Sequence, residues 1–193
     1  MSSFDIAPWD VLETSTAFSN RWLRVRRDVC RTNRGNVIDY YVVERASYVA
    51  VVALTPGLDV LLVRQYKHGA GRLVLELPAG YIEGDEDPLA CAQRELLEET
   101  GYEAQTWEPL AVLLASPSTS SHSAHLYLAT GAHRAADQRL DANELISIAP
   151  VPFRNALQSV GHGGPEDLSS TAALSLAWQH LCIRGVCSGQ TCV

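Results

Sequence analysis

The sequence predicts an α+β fold or a mixed α/β sandwich, on three observations. Short runs rich in β-branched and aromatic residues recur along the chain, and helical periodicity is confined to three segments. No repeat, low-complexity tract or compositional shift marks off a domain of another class. With 193 residues, 47% of them hydrophobic and 19% charged, the chain is long enough to bury a core and too apolar to stay disordered.

Taken in order, residues 22–26 partly alternate and read as the first strand, and residues 37–43 as the second. The turn-forming Asn33-Arg34-Gly35-Asn36 lies between them. Residues 48–54 and 60–65 are short apolar runs joined through Thr55-Pro56-Gly57. Residues 73–77 form another strand, closed by Pro78-Ala79-Gly80. A helix then opens on Asp87 as N-cap with Pro88 at its first position. Leu89, Ala92, Leu96 and Leu97 space its apolar face, and Gly101 ends it in a left-handed turn. Strands return at 110–115, 125–129 and 146–151. Residues 153–160 and 169–183 read as helices, the latter on Leu174, Leu176, Ala177 and Leu181, with a glycine-rich loop at 161–165 between them.

Composition excludes several roles. Fifteen basic against 22 acidic residues give a formal net charge of −7, which argues against a surface that coats nucleic acid. The longest apolar stretches, such as 48–54, fall short of a membrane span. The opening MSSFDIAPWD has no basic segment followed by an apolar one, so a secretory signal is not expected and a cytoplasmic protein is. The cysteines Cys30, Cys91, Cys182, Cys187 and Cys192 are odd in number and form no CxxC pair, as expected of reduced thiols. The last three recur every five residues without zinc-type spacing and read as an oxidisable tail.

The informative segment runs from Gly80 to Tyr102. Glu95, Glu98 and Glu99 lie three and four residues apart, so their carboxylates share one side of a helix. Glu98 and Glu99 also fall in its last turn, where the helix dipole already disfavours acids. One reading is a solvated acidic face. The other is a site for a hard divalent cation, which takes oxygen ligands and relieves the repulsion. Glu86 stands eight residues before Arg94, two helical turns away, where it can pair with the guanidinium. Gly80 would allow a tight loop that aims the Ala79 carbonyl at the same cation.

Gly80, Glu86, Arg94, Glu95, Leu96, Glu98, Glu99, Gly101 and Tyr102 fill the pattern GX5EX7REUXEEXGU, where U is bulky and apolar. On these residues the chain resembles a Nudix hydrolase. Outside that box, Leu62-Val63-Arg64-Gln65-Tyr66, Leu75-Glu76-Leu77-Pro78-Ala79-Gly80 and Pro117 resemble a bacterial ADP-ribose pyrophosphatase. Nucleotide-sugar pyrophosphatases such as those for GDP-mannose share several of these features. The resemblance implies a Nudix-type α/β/α sandwich. It also implies Mg²⁺-dependent cleavage (with Mn²⁺ an alternative) of ADP-ribose to AMP and ribose 5-phosphate, or of a close nucleoside diphosphate sugar. Glu95, Glu98, Glu99 and the Ala79 carbonyl would hold the metal, with Glu86 and Arg94 keeping loop and helix in register. A homodimer is implied too, in which residues 1–46 form a strand region exchanged with the partner and residues 47–193 the hydrolase domain.

One departure stands out. His122 occupies the loop position where members of this group often carry a glutamate that serves as base or metal ligand. The base is therefore expected to be Glu98 or His122, although an exposed loop histidine is the plainer reading of His122; His125, at a strand start, reads as structural. Arg64 would bind phosphate or ribose, or else pair with Glu76, itself a candidate for substrate binding. Trp9 and Tyr66 would stack on a base, or else pack in the core or an interface. A different class, a module that binds a nucleotide metabolite without cleaving it, is favoured only by the missing loop glutamate.

Overall fold

A computed structural model of the chain describes residues 7–185. Cys187, Cys192 and the first six residues lie outside that range, and with them the oxidisable-tail reading. Cys30, Cys91 and Cys182 are free thiols. The chain divides into two compact units, one made of residues up to Ala46 with Leu114–Ser123, the other of Ser47–Leu113 with the residues from Ala124 onward.

The first unit is an antiparallel sheet of β1 (Asp10–Ser19), β2 (Arg24–Arg31) and β3 (Val37–Glu44), in that order. Strand β1 escaped the sequence reading for a physical reason. It is exposed along nearly its whole length, and register shifts at Val11/Glu13 and Thr16/Phe18 break the two-residue period that a half-buried strand would show. β2 starts at Arg24 rather than at residue 22, because the Asn20 side chain accepts the Trp22 and Leu23 N–H groups and turns the chain. That turn leaves Trp22 73% exposed, with the Arg21 guanidinium 4.4 Å over its ring. Buried Asp28 is held by Thr14 and Arg26. The loop at 116–122 joins this unit through hydrogen bonds from Val43 N–H to the Thr119 carbonyl and from Tyr40 OH to the Ser118 carbonyl.

In the second unit come β4 (Tyr48–Leu54), β5 (Asp59–Lys67), β6 (Arg72–Glu76), β7 (Ala79–Tyr81), α1 (Pro88–Thr100), β8 (Tyr102–Glu103), β9 (Thr106–Leu114), β10 (Ser123–Thr130), β11 (His133–Arg134), β12 (Ile146–Pro152), α2 (Phe153–Ser159) and α3 (Leu168–Ile183). The main sheet runs β12-β5-β4-β10-β9, with β6 paired to β5 and β7 to β4, and it is mixed because β10 and β4 are parallel. The apolar run of β4 is buried on both faces, which is why it shows no alternation. Val49, Val51 and Ala53, with Leu61 of β5, pack on Cys91, Ala92 and Leu96 of α1. Ala50, Val52 and Leu54, with Val60 and Leu62, pack on Phe153 and Ala156 of α2 and on Ala173, Leu174, Ala177 and Leu181 of α3. Helices on both faces of a mixed sheet make the predicted α/β/α sandwich. Gly80 corrects the expectation of a tight loop: it lies in β7, opposite Val49 of β4.

Candidate functional site

Both ends of α1 are fixed, and this fixes its glutamates. Asp87 Oδ1 accepts from Leu89 and Ala90 N–H at 3.0 and 3.1 Å, and Pro88 supplies a pre-set first residue. Gly101 ends the helix at φ 73°, its N–H on the Leu97 carbonyl. A Cβ there would meet the Ala136 carbonyl at 2.3 Å, so only glycine fits.

The paired groups expected from spacing are joined. Arg94 Nε and Nη2 each lie 2.9 Å from Glu86, and Arg94 Nη1 lies 2.8 Å from Glu95 and 3.0 Å from Glu98. The guanidinium thus bridges the loop before α1 to two acids of the helix. It holds the Glu86 carboxyl down to about pH 2, and those acids raise the Arg94 pKa in turn. Glu99 is only 4% exposed and accepts the Ala79 N–H at 3.0 Å. Burial, which that hydrogen bond only partly offsets, pushes Glu99 up to about 8, and burial also raises Glu95. Gly80 makes room for these acids, since a Cβ on it would sit 1.9 Å from the Glu95 carboxyl. Among the described residues no group of three ligands stands ready-made for a metal. Glu95 and Glu98 are turned to Arg94, and Glu99 to Ala79. The donor set nevertheless fits a hard divalent cation: carboxylate oxygens, crowded, partly buried and short of positive charge.

These acids line a cleft of about 450 Å³ with Gln65, Lys67, Ala79, Gly80, Tyr81, Glu83, Arg94, Arg139, Asp141 and Glu144. A second hollow of about 340 Å³ shares Arg94 but has Glu103 as its one acid, so the cleft is the candidate site. The segment from Ala135 to Glu144 went unread in the sequence because nothing in its composition tells which surface it covers. It is seated on the end of α1: Ala135 and Ala136 N–H bond the Gly101 carbonyl, and Arg139 N–H bonds that of Glu98. Gln138 Nε2 bonds those of Glu99, at 2.6 Å, and Ile146, at 3.3 Å. The cluster of charge in Arg139, Asp141 and Glu144 just before a strand was its one sequence signal.

Among the expected site residues of the second unit, Glu76 adjoins the cleft, whereas Arg64 and Tyr66 do not line it. Glu76 does not pair with Arg64; it takes Lys67 at 2.8 Å and Gln65 at 2.7 Å. The reason is parity along β5. Leu61, Gln65 and Lys67 face α1 and the cleft, whereas Arg64 and Tyr66 share the face of Leu62, toward α2 and α3. Tyr66 contacts His68 there. Trp9 belongs to the first unit and packs edge-on against Tyr40 with centroids 5.8 Å apart. His122, also in that unit, bonds the Ser120 hydroxyl through Nδ1. The single Ser120 proton goes to the Val43 carbonyl, so the neutral ring donates from Nδ1 and Nε2 is its basic nitrogen. Burial, aided by Arg45, lowers the His122 pKa and favours that neutral form.

Comparison with known proteins agrees with this geometry. Residues 9–43 match the nucleoside diphosphate sugar hydrolase N-terminal domain. The chain is 32% identical over 150 residues to the methanol dehydrogenase activator of Bacillus methanolicus, covering 77% of this chain and 81% of that one. It is 37% identical over 124 residues to the ADP-ribose pyrophosphatase of Mycobacterium tuberculosis, covering 64% and 60%. A crystal structure of an ADP compounds hydrolase superposes with a TM-score of 0.84 over 94% of this chain and 98% of that one, at 21% identity, and so shares its fold. Residues 44–165, which contain the whole cleft, match the NUDIX domain, and the chain belongs to the Nudix family of hydrolases.

Proposed function

We propose that the protein is a divalent-metal-dependent pyrophosphatase that hydrolyses ADP-ribose to AMP and ribose 5-phosphate, or a close nucleoside diphosphate sugar. The observation that carries this is the complete set of Glu95, Glu98 and Glu99 on a helix fixed at both ends and tied by Arg94 to Glu86. The similarity to an ADP-ribose pyrophosphatase and the matching N-terminal domain support the substrate class. GDP-mannose is the alternative substrate. A module that only binds its ligand is disfavoured, because it would have no use for so complete a set of acids.

Glu95, Glu98, Glu99 and the Ala79 carbonyl would hold Mg²⁺, or Mn²⁺ in its place. When bound, the cation neutralises pyrophosphate oxygens and lowers the pKa of its water. Glu86 and Arg94 keep the acids aimed. Glu144 is our preferred base: it lines the cleft, and its charge is felt at Glu95. Glu98 and His122 are the alternatives. General-base removal costs about 10²–10⁴ in rate, so Glu144→Gln and His122→Ala assayed together identify the base. The exposed Val11, Phe18 and Tyr41 of the first unit suit cover by a second copy, in keeping with a homodimer. No described helix is long and apolar enough to cross a membrane, and our reading is a cytoplasmic enzyme with neither membrane nor nucleic acid as partner.

The test is AMP release from ADP-ribose with Mg²⁺ and then with EDTA. Metal-dependent AMP with ribose 5-phosphate supports the proposal. No turnover of ADP-ribose, GDP-mannose or other nucleotide sugars defeats it.

A further inference from the structure

A diphosphate entering this cleft meets six acids, Glu83, Glu95, Glu98, Glu99, Asp141 and Glu144, and three cations. Two of the cations are already engaged. Arg94 is bonded to Glu86, Glu95 and Glu98, and Lys67 is bonded to Glu76. The third, Arg139, lines the same cleft, and its guanidinium is in no ion pair among the described residues.

We infer that Arg139 is a substrate-binding residue that receives phosphoryl oxygens of the diphosphate. The inference rests on the proposed diphosphate chemistry and adds to it a residue outside the Nudix box. Three physical points support it. A planar guanidinium donates two parallel hydrogen bonds and so suits a phosphoryl group better than a point charge does. Its position is set from the main chain, because Arg139 N–H bonds the Glu98 carbonyl and neighbouring Gln138 bonds that of Glu99. The side chain therefore springs from a loop seated on the last turn of the helix that carries the metal-binding acids. Finally, substrate charge left unmatched among these acids would be repelled, and Arg139 is the protein cation not already spent on the scaffold.

The same geometry makes the test clean. Truncating the side chain leaves the anchoring main-chain N–H in place, so the loop stays seated. Two readouts are needed on wild type, Arg139→Ala and Arg139→Lys. The first is the steady-state kinetics of AMP release. The second is calorimetric binding, with Mg²⁺, of a methylene-bridged ADP-ribose analogue whose diphosphate cannot be cleaved. Arg139→Ala is expected to raise KM and weaken analogue binding by about tenfold or more, with a smaller change in kcat. Arg139→Lys should recover part of the loss, since it keeps the charge but not the fork. Equal analogue affinity in wild type and Arg139→Ala overturns the inference, as does a wild type that does not bind the analogue. A wild type that binds the analogue through Arg139 yet hydrolyses no nucleotide sugar overturns the proposed function and leaves the role of Arg139 standing.

Discussion

Glu86 and Gly80 show how much of this site depends on single residues that need not touch substrate. Glu86 ionises at about 2 against an ordinary 4.5 because Arg94 favours its charged form. A lowered carboxylate pKa contributes stability that is fully present above the unfolded value and fades as pH falls through the folded one. The stability difference between wild type and Glu86→Gln should therefore be constant above about pH 5.5 and shrink as pH falls from 4.5 towards 2, read by urea unfolding at each pH. A difference independent of pH would show that the pair is not electrostatic. Gly80 acts through space rather than charge. In Gly80→Ala the new methyl must displace the Glu95 carboxyl, and we expect apparent Mg²⁺ affinity to fall about 10–100-fold, as when metal-binding side chains lose their support. Unaltered Mg²⁺ activation would mean that Glu95 is not a ligand. The Glu86–Arg94 pair was legible from its spacing in the box, whereas the room that Gly80 leaves for Glu95 was not, because it depends on how β7 packs against α1. Arg64 was misread because a one-residue change of parity along a strand moves a side chain to the other face of the sheet, and Gln65 and Lys67 took the cleft face instead.

At the scale of elements, legibility followed how local the determinants were. The bounds of α1 were readable from Asp87, Pro88 and Gly101, because caps act within one turn. β4 was readable from its buried apolar run. Strand β1 was not, because its partner β2 holds it while its side chains face out, and β8 and β11 are two-residue pairings that no pattern can mark. The loop from Ala135 to Glu144 was illegible for the same reason: its position is set by carbonyls at the end of α1, distant in sequence. Capping also gives a direct forecast. Asp87→Ala removes two hydrogen bonds at the start of the metal-binding helix and should cost about 1 kcal/mol in chemical denaturation. Asp87→Ser should restore most of it. A loss in both variants alike would show that Asp87 acts through charge on the helix dipole and not through its cap.

For the whole molecule, the burial of acids in the cleft has a thermodynamic consequence. Of the acids that would bind the cation, Glu95 and Glu99 are largely buried, and burial pushes Glu99 up to about 8, so in neutral solution without metal the second unit holds carboxyl groups against their preference for water. A ligand that binds only the folded state stabilises it by RT ln(1 + [L]/Kd), about 2.7 kcal/mol at a hundredfold excess over Kd. For a protein of this size each kcal/mol moves the unfolding midpoint by about 2–4 °C. Saturating Mg²⁺ should therefore raise the thermal midpoint by about 5–10 °C, provided both units unfold together. Glu99→Gln keeps the shape and the Ala79 hydrogen-bond acceptor but cannot ionise. That variant should be at least as stable as wild type without metal, gain little from Mg²⁺, and lose turnover. If it gains as much from Mg²⁺ as wild type does, the cation binds elsewhere and the ligand assignment fails. If wild type unfolds in two steps with Mg²⁺ shifting one alone, that step belongs to the unit holding the cleft, because linkage acts only on the part of the chain that must unfold to release the ion.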